Sequence, residues 1–200
     1  MPAASPLSSS LRSRALQLLA QREHSRAELR RKLAVYADRV ERDERQRRAA
    51  TRPDDRAADT CADHDAATPE PESDSTARAA AIESLLDWLE ANRYLSDERF
   101  VESWVHARIA RFGNARIRRE LAQHQAALSP DAERRLRESE FERARTVWAR
   151  KYEPAAADPA SRARQSRFLA SRGFSAEVIA RVLREAARAS DGAEALRDDD

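Results

Sequence analysis

Arginine is the residue whose spacing could do chemistry in this chain. Arg26, Arg30, Arg31 and Lys32 crowd one short segment. Arg108, Arg111, Arg116, Arg118 and Arg119 form a second cluster, with Glu120 the one acid near it. Residues 143–172 hold eight basic and two acidic residues, among them Arg150, Lys151, Arg164, Arg167 and Arg172. The guanidinium fork donates two parallel hydrogen bonds to phosphate or carboxylate, so such clusters point to an acidic partner. Catalytic chemistry has no comparable support. Phosphate-cradling and nucleophile-elbow motifs are absent, and three glycines in 200 residues leave no material for them. Cys61 and His64 have the spacing of half a metal site, but no second pair completes it. His24, His106 and His124 are scattered, and no acid pair stands apart from the general charge. The expectation is a binding protein: not an enzyme, with no cofactor, no metal and no catalytic residue.

Charge segregation sharpens that reading. The formal net charge is only +2, yet residues 53–76 carry −7 and residues 189–200 carry −4, which leaves +13 on the remainder. Residues 53–76 contain no Leu, Ile, Val or aromatic side chain. A segment of that composition buries too little surface to offset the entropy of ordering. The sequence therefore predicts a disordered acidic insertion over about 37–76, a disordered start over 1–10 and a disordered acidic tail over 189–200. A basic body is an electrostatic footprint for a nucleic acid or nucleoprotein. The 35 arginines against two lysines also fit a GC-rich coding bias, so their clustering weighs more than their number.

The elements that position these cations are helices. Alanine supplies 41 residues, β-branched residues are few, and apolar residues recur near every 3.6 positions. The first helix carries Leu11, Ala15, Leu18 and Leu19. Ser25 and Glu28 form a capping box opening a second, with Leu29, Leu33 and Tyr36. Ile82, Leu85, Leu86 and Leu89 mark a third. Ser96 caps a fourth through Ile109, and Asn114 caps a fifth with Ile117 and Leu121. Ser129-Pro130-Asp131 starts a sixth. The five-residue step from Leu136 to Phe141 predicts a break near Glu138–Glu140, then a seventh helix to Tyr152. Asp158-Pro159 opens an eighth ended by Gly173. Ser175 caps a ninth. Trp88, Trp104, Trp148, Phe100 and Phe168 read as core rather than as base-stacking platforms. Cap contexts around Ser25, Ser96 and Ser175 share an apolar residue four positions on, so the helices read as degenerate triplets. No apolar run is long enough for a membrane span, no secretory signal opens the chain and a lone cysteine excludes a disulfide framework, so the expected location is the cytoplasm.

HSRAELRRKL (His24–Leu33), YLSDERFVESWVHARIARFGNARIRREL (Tyr94–Leu121), ARKY (Ala149–Tyr152) and RFLASRGFSAEVIARVL (Arg167–Leu183), in that order, resemble the RecX family of bacterial regulators of the recombinase RecA. The resemblance implies an all-α fold of three tandem three-helix repeats in an elongated curved array. The repeats would span 11–95, 96–139 and 140–188. It implies binding to RecA and to the RecA–single-stranded DNA filament, with inhibition of its recombinase, ATPase and coprotease activities. The basic residues named above are then the candidate contact residues, with weak direct DNA binding as an additional expectation and a monomeric chain. The rival expectation is a free-standing helix-turn-helix DNA-binding protein. Three departures from the family stand out: the long insertion, the sequence LAQHQAALSPD (Leu121–Asp131) without the glycine usual after the fifth helix, and Glu153 in place of the glycine after the Arg-Lys-Tyr run.

Overall fold

The computed structural model describes residues 6–50, 71–152 and 158–195, which form eight helices and no strand among the described residues. They are α1 (Pro6–Gln21), α2 (Arg26–Ala50), α3 (Pro71–Ala91), α4 (Asp97–Ile109), α5 (Asn114–Gln123), α6 (Pro130–Ala149), α7 (Pro159–Ser171) and α8 (Ala176–Ala195). The chain divides into two compact units, residues 1–97 and 98–200.

In the first unit α1, α2 and α3 close around Leu11, Ala15, Leu18, Leu29, Leu33, Ile82, Leu86 and Leu89, all buried. These are the stripes that the 3.6-residue spacing marks, and each helix hides its apolar face against the other two. The amide of Glu28 donates to the Ser25 hydroxyl at 3.1 Å, as the capping motif predicts. Leu95 closes the base of the core after a turn in which Arg93 takes a φ of 61°.

The second unit has two cores. Phe100, Val101, Ile117, Leu121, Ala126 and Leu136 form one; Ala144, Val147, Trp148, Leu169, Phe174, Ile179 and Val182 form the other. α6 supplies both, Leu136 to the first and Ala144 to Trp148 to the second. Eight helices thus build three helical triplets because α6 serves in two of them.

That sharing corrects the expected break near Glu138–Glu140: α6 is continuous. The five-residue step is a change of face, where the helix leaves one core and enters the next. Glu140 is buried at that point (6% exposed). Its Oε1 accepts from the amides of Asn114 (3.1 Å) and Ser175 (3.3 Å), and its Oε2 accepts from the Ser175 hydroxyl at 3.4 Å. One carboxylate therefore meets the N-terminal ends of both α5 and α8, where unpaired amides and the helix dipole favour negative charge.

Other boundaries differ from the expectation. α2 runs on through Ala50 and α3 starts at Pro71, so residues 37–50 and 71–76 are helical; the remainder of the insertion, 51–70, lies outside the described residues. Arg78 explains part of this, since it pairs with Asp38 at 3.2 Å and Glu41 at 2.5 Å and ties the outer turns of α2 to α3. Residues 6–10 belong to α1, where Pro6 suits a first turn and the Ser10 hydroxyl bonds Tyr36 at 2.7 Å. Residues 189–195 extend α8, in keeping with their alanine content. Asn114 is the first residue of α5 rather than its cap. Gly113 holds the cap position, and the Asn114 side chain donates to the Leu136 carbonyl at 3.1 Å.

Ser129 and Asp158 cap α6 and α7 as expected, each accepting from the amide three residues on. Gly173 has a φ of +82°, the left-handed conformation that favours glycine after a helix. Its loop lies against Gly113: the Gly113 amide donates to the Arg172 carbonyl at 2.9 Å and the Ala115 amide to the Gly173 carbonyl at 3.1 Å. A Cβ on Gly113 would fall 2.3 Å from the Gly173 backbone, so only glycine permits this contact.

Candidate functional site

The helices sort the cations singled out by the sequence into two groups. Six of the fourteen already hold a carboxylate. Arg26 reaches from α2 to Glu83 (2.8 Å), Asp87 (2.7 Å) and Glu90 (2.6 Å), all on α3. The bond to Glu83, then that to Asp87, raises its pKa above the ordinary guanidinium value. Arg30 pairs with Glu83 at 2.7 Å. Both reach across to α3 rather than pairing along α2. Lys32 donates to His24 Nε2 at 2.9 Å and lies 3.1 Å from Glu28. Arg108 and Arg116 converge on Glu120 at 2.7 and 2.9 Å, and Arg118 pairs with Glu133 at 2.9 Å. Burial raises the Glu120 carboxyl, but the bonds from Arg116 and Arg108 outweigh it and leave its pKa lowered.

The other eight, Arg31, Arg111, Arg119, Arg150, Lys151, Arg164, Arg167 and Arg172, have no carboxylate partner among the described residues. Arg164 bonds the Ser161 hydroxyl at 2.8 Å. Several cations lie over aromatic rings one turn away. Arg108 sits 3.4 Å from the Trp104 ring centre, Arg116 3.9 Å from Phe112 and Arg172 4.1 Å from Phe168. Such stacking orients a guanidinium without neutralising it.

Two basic segments that are separate in sequence meet in the second unit. Lys151 and Arg172 share the ring of Phe168, Lys151 at 4.5 Å. The turn after Arg172 is hydrogen-bonded to the turn that carries Arg111 and Gly113, and Gly173 packs on Arg116. The Lys151–Phe168–Arg172 edge is thus joined, through the Gly173 turn, to the turn that carries Arg111 and to the start of α5. The aromatic residues stay in supporting roles: Phe100 and Trp148 are buried, and Trp88, Trp104 and Phe168 are half-buried against their cores.

Three groups escape a reading of spacing alone. Arg143 falls in the basic 143–172 stretch but turns inward. It donates to the carbonyls of Phe112 (2.8 Å) and Leu136 (2.9 Å) and to the Asn114 side chain (2.6 Å), and burial lowers its pKa. Arg39 is exposed on α2, and Arg14 on α1 is half-buried. Arg39 follows Arg31 by eight residues, a spacing that becomes visible once α2 is known to continue past Ala37.

His24 is buried (1% exposed). Because the Lys32 ammonium donates to Nε2, the proton must sit on Nδ1 and point to the Arg22 carbonyl 2.9 Å away. Burial chiefly, helped by Arg22 and Lys32, lowers its pKa. Burial alone would raise the Glu28 carboxyl, but bonds from Arg22 and Lys32 outweigh it and hold the pKa at about 2. This cluster is a fixed charge network within the first unit. Among the described residues no group of three or more His, Cys, Asp or Glu could hold a metal ion, and no helix is long and apolar enough to cross a membrane. Cys61 and His64 lie outside the described residues.

Residues 96–125 match the model of the second three-helix domain of RecX, and residues 138–183 that of the third. A protein of Ralstonia nicotianae named regulatory protein RecX is 39% identical over 194 residues, covering 95% of this chain and 92% of its own. The chain belongs to the RecX family. A second RecX regulatory protein, from Leptothrix cholodnii, is 41% identical over 177 residues, 88% of each chain. The crystal structure of RecX from Lactobacillus salivarius is 16% identical, covers 90% of this chain and 96% of its own, and superposes with a TM-score of 0.56. At that identity it supports the fold: an all-α RecX array of three-helix domains. The family is one of regulatory proteins.

Proposed function

We propose that the chain binds RecA and the filament RecA forms on single-stranded DNA, and that it lowers the filament's recombinase, ATPase and coprotease output. It would thereby modulate recombination, DNA repair and the SOS response. The observation that carries this reading is the RecX likeness over 95% of the chain. In this reading it works in the cytoplasm, as a monomer, with no cofactor and as a regulator rather than an enzyme.

The proposed contact set narrows from fourteen residues to the eight that pair with no carboxylate among the described residues. Repeats over 11–95, 96–139 and 140–188 would each present part of it. Each exposed contact contributes a modest, salt-screened attraction, but contacts on one chain make the later ones effectively intramolecular. A filament offers protein carboxylates and DNA phosphates at regular intervals, and a bound chain would oppose both filament growth and the movement of neighbouring protomers.

The test is RecA ATP turnover on single-stranded DNA, titrated with this protein. Inhibition at concentrations too low to coat the DNA, persisting when excess free DNA is added, supports the filament reading. Relief of inhibition by excess DNA sinks it in favour of a free-standing DNA-binding protein that merely competes. Reversing charge at Arg119 and Arg167 is expected to weaken inhibition at least tenfold, whereas Arg26→Ala costs stability and leaves the inhibition of the folded protein in place.

A further inference from the structure

Within the first unit the cations of α2 divide by direction. Toward α3, Arg26 and Arg30 are engaged by acids. Toward α1, the helices form a groove of about 460 Å³ lined by Arg14, Leu18, Arg31, Val35, Tyr36, Arg39 and the Glu28-paired Lys32. Val35 stands in it 68% exposed, an unusual position for a large aliphatic side chain. Arg31, Val35 and Arg39 follow at four-residue intervals and so share one ridge of α2. Arg14 faces them from α1, its guanidinium 5.8 Å from the Tyr36 ring centre and 3.5 Å from the Gln17 side chain. Arg14, Arg31 and Arg39 have no carboxylate partner among the described residues, and the nearby acids of α2, Asp38 and Glu41, are turned to Arg78.

We propose that this groove is a docking site for an acidic peptide segment carrying a bulky aliphatic side chain. The aliphatic group would seat on Val35 and Leu18, and flanking carboxylates would reach Arg14, Arg31 and Arg39. The groove's own chemistry selects this occupant. A nucleic acid would use the cations, but the exposed apolar group here is the aliphatic Val35, and the one aromatic ring of the lining, Tyr36, is half-buried against the core with Arg14 over it. The chain's acidic residues 53–76 match the charge but bring no Leu, Ile, Val or aromatic group to fill the floor. The inference goes beyond the filament reading and does not depend on it, since its test contains no RecA, although Arg31 is shared with the proposed contact set.

The experiment is fluorescence anisotropy on the full chain with three labelled probes: an Asp/Glu-rich peptide with a central Leu pair, the same peptide with Ser for Leu, and an oligothymidylate of equal charge. The Leu peptide is expected to bind at least tenfold more tightly than the Ser peptide, the return for burying aliphatic side chains. Val35→Ser, a change at an exposed position, should weaken the Leu peptide about fivefold and leave the other two probes unchanged. The Arg31→Ala/Arg39→Ala pair should flatten the salt dependence of peptide binding. Equal affinity of the Leu and Ser peptides, or indifference to Val35→Ser, overturns the proposal. So does an oligothymidylate affinity that falls as far as the peptide's, which would make the groove a nucleic-acid face. Self-association abolished by Val35→Ser would instead put a second copy of the chain there.

Discussion

Replacing Glu140 tests how the second unit is held together. In Glu140→Ala the amides of Asn114 and Ser175 and the Ser175 hydroxyl all lose their acceptor. The site is buried, so water cannot readily replace it. Hydrogen bonds to a charged group contribute roughly 1.5–3 kcal/mol each. The contacts here are 3.1–3.4 Å, the long end of the range, so the lower figure applies to the two backbone bonds and the hydroxyl adds little. The expected loss is about 3 kcal/mol. For a unit of this size each kcal/mol shifts the midpoint by about 4–8 °C, so Tm should fall by roughly 12–24 °C. Glu140→Gln keeps the Oε1 acceptor and loses the charge that favours two helix N-termini, for about 1 kcal/mol. The three tryptophans divide between the units, so in a Trp88→Phe background only Trp104 and Trp148 report, and both lie in the second unit. Thermal unfolding followed by tryptophan fluorescence in that background reads the effect. An alanine variant within about 2 °C of its parent would refute the account of a shared cap, as would an alanine and a glutamine variant of equal stability.

Two further outcomes follow from local geometry. Gln125 takes a φ of 53°, a left-handed conformation that favours glycine, so Gln125→Gly should raise the stability of the second unit by about 1 kcal/mol, read as an upward shift in the urea midpoint. The first unit should lose stability on acidification: the lowered His24 pKa means the unfolded chain takes up a proton first as pH falls below 6.5, and the Glu28 carboxyl, near 2 when folded, adds to the loss below about 4.5. Urea midpoints between pH 7.5 and 5, followed by Trp88 fluorescence, should fall in the wild type and flatten in His24→Asn; a slope unchanged by that substitution refutes the assignment.

Local signals in the sequence proved dependable where one residue does one job. Ser25, Ser129 and Asp158 cap their helices because a short side-chain acceptor next to an orphaned amide has few other outcomes. The apolar stripes found their cores for the same reason. What stayed hidden depended on partners far along the chain. Arg26 looks like a free cation until α3 folds back and brings Glu83, Asp87 and Glu90 to it. The charged stretch after Ala37 looks unable to order, but Arg78 supplies its carboxylates with a partner from another helix. The step at Leu136–Phe141 reads as a break because periodicity assumes that a helix has one buried face throughout. The join between the Phe168 edge and the turn that carries Arg111 depends on a contact between two loops about 60 residues apart, Gly113 with Gly173, which neither glycine announces alone.

The continuity of α6 also limits how the molecule can be taken apart. A helix that lends its first half to one core and its second half to the next has no seam at the point where one triplet gives way to another. Cutting there leaves two stumps, each with an uncovered core, and frees the carboxylate that both neighbouring helices start from. Grafts between relatives would therefore exchange the second and third triplets together, or be joined in the loops on either side of α6. A protease could likewise part these two triplets only by unfolding a helix that belongs to both.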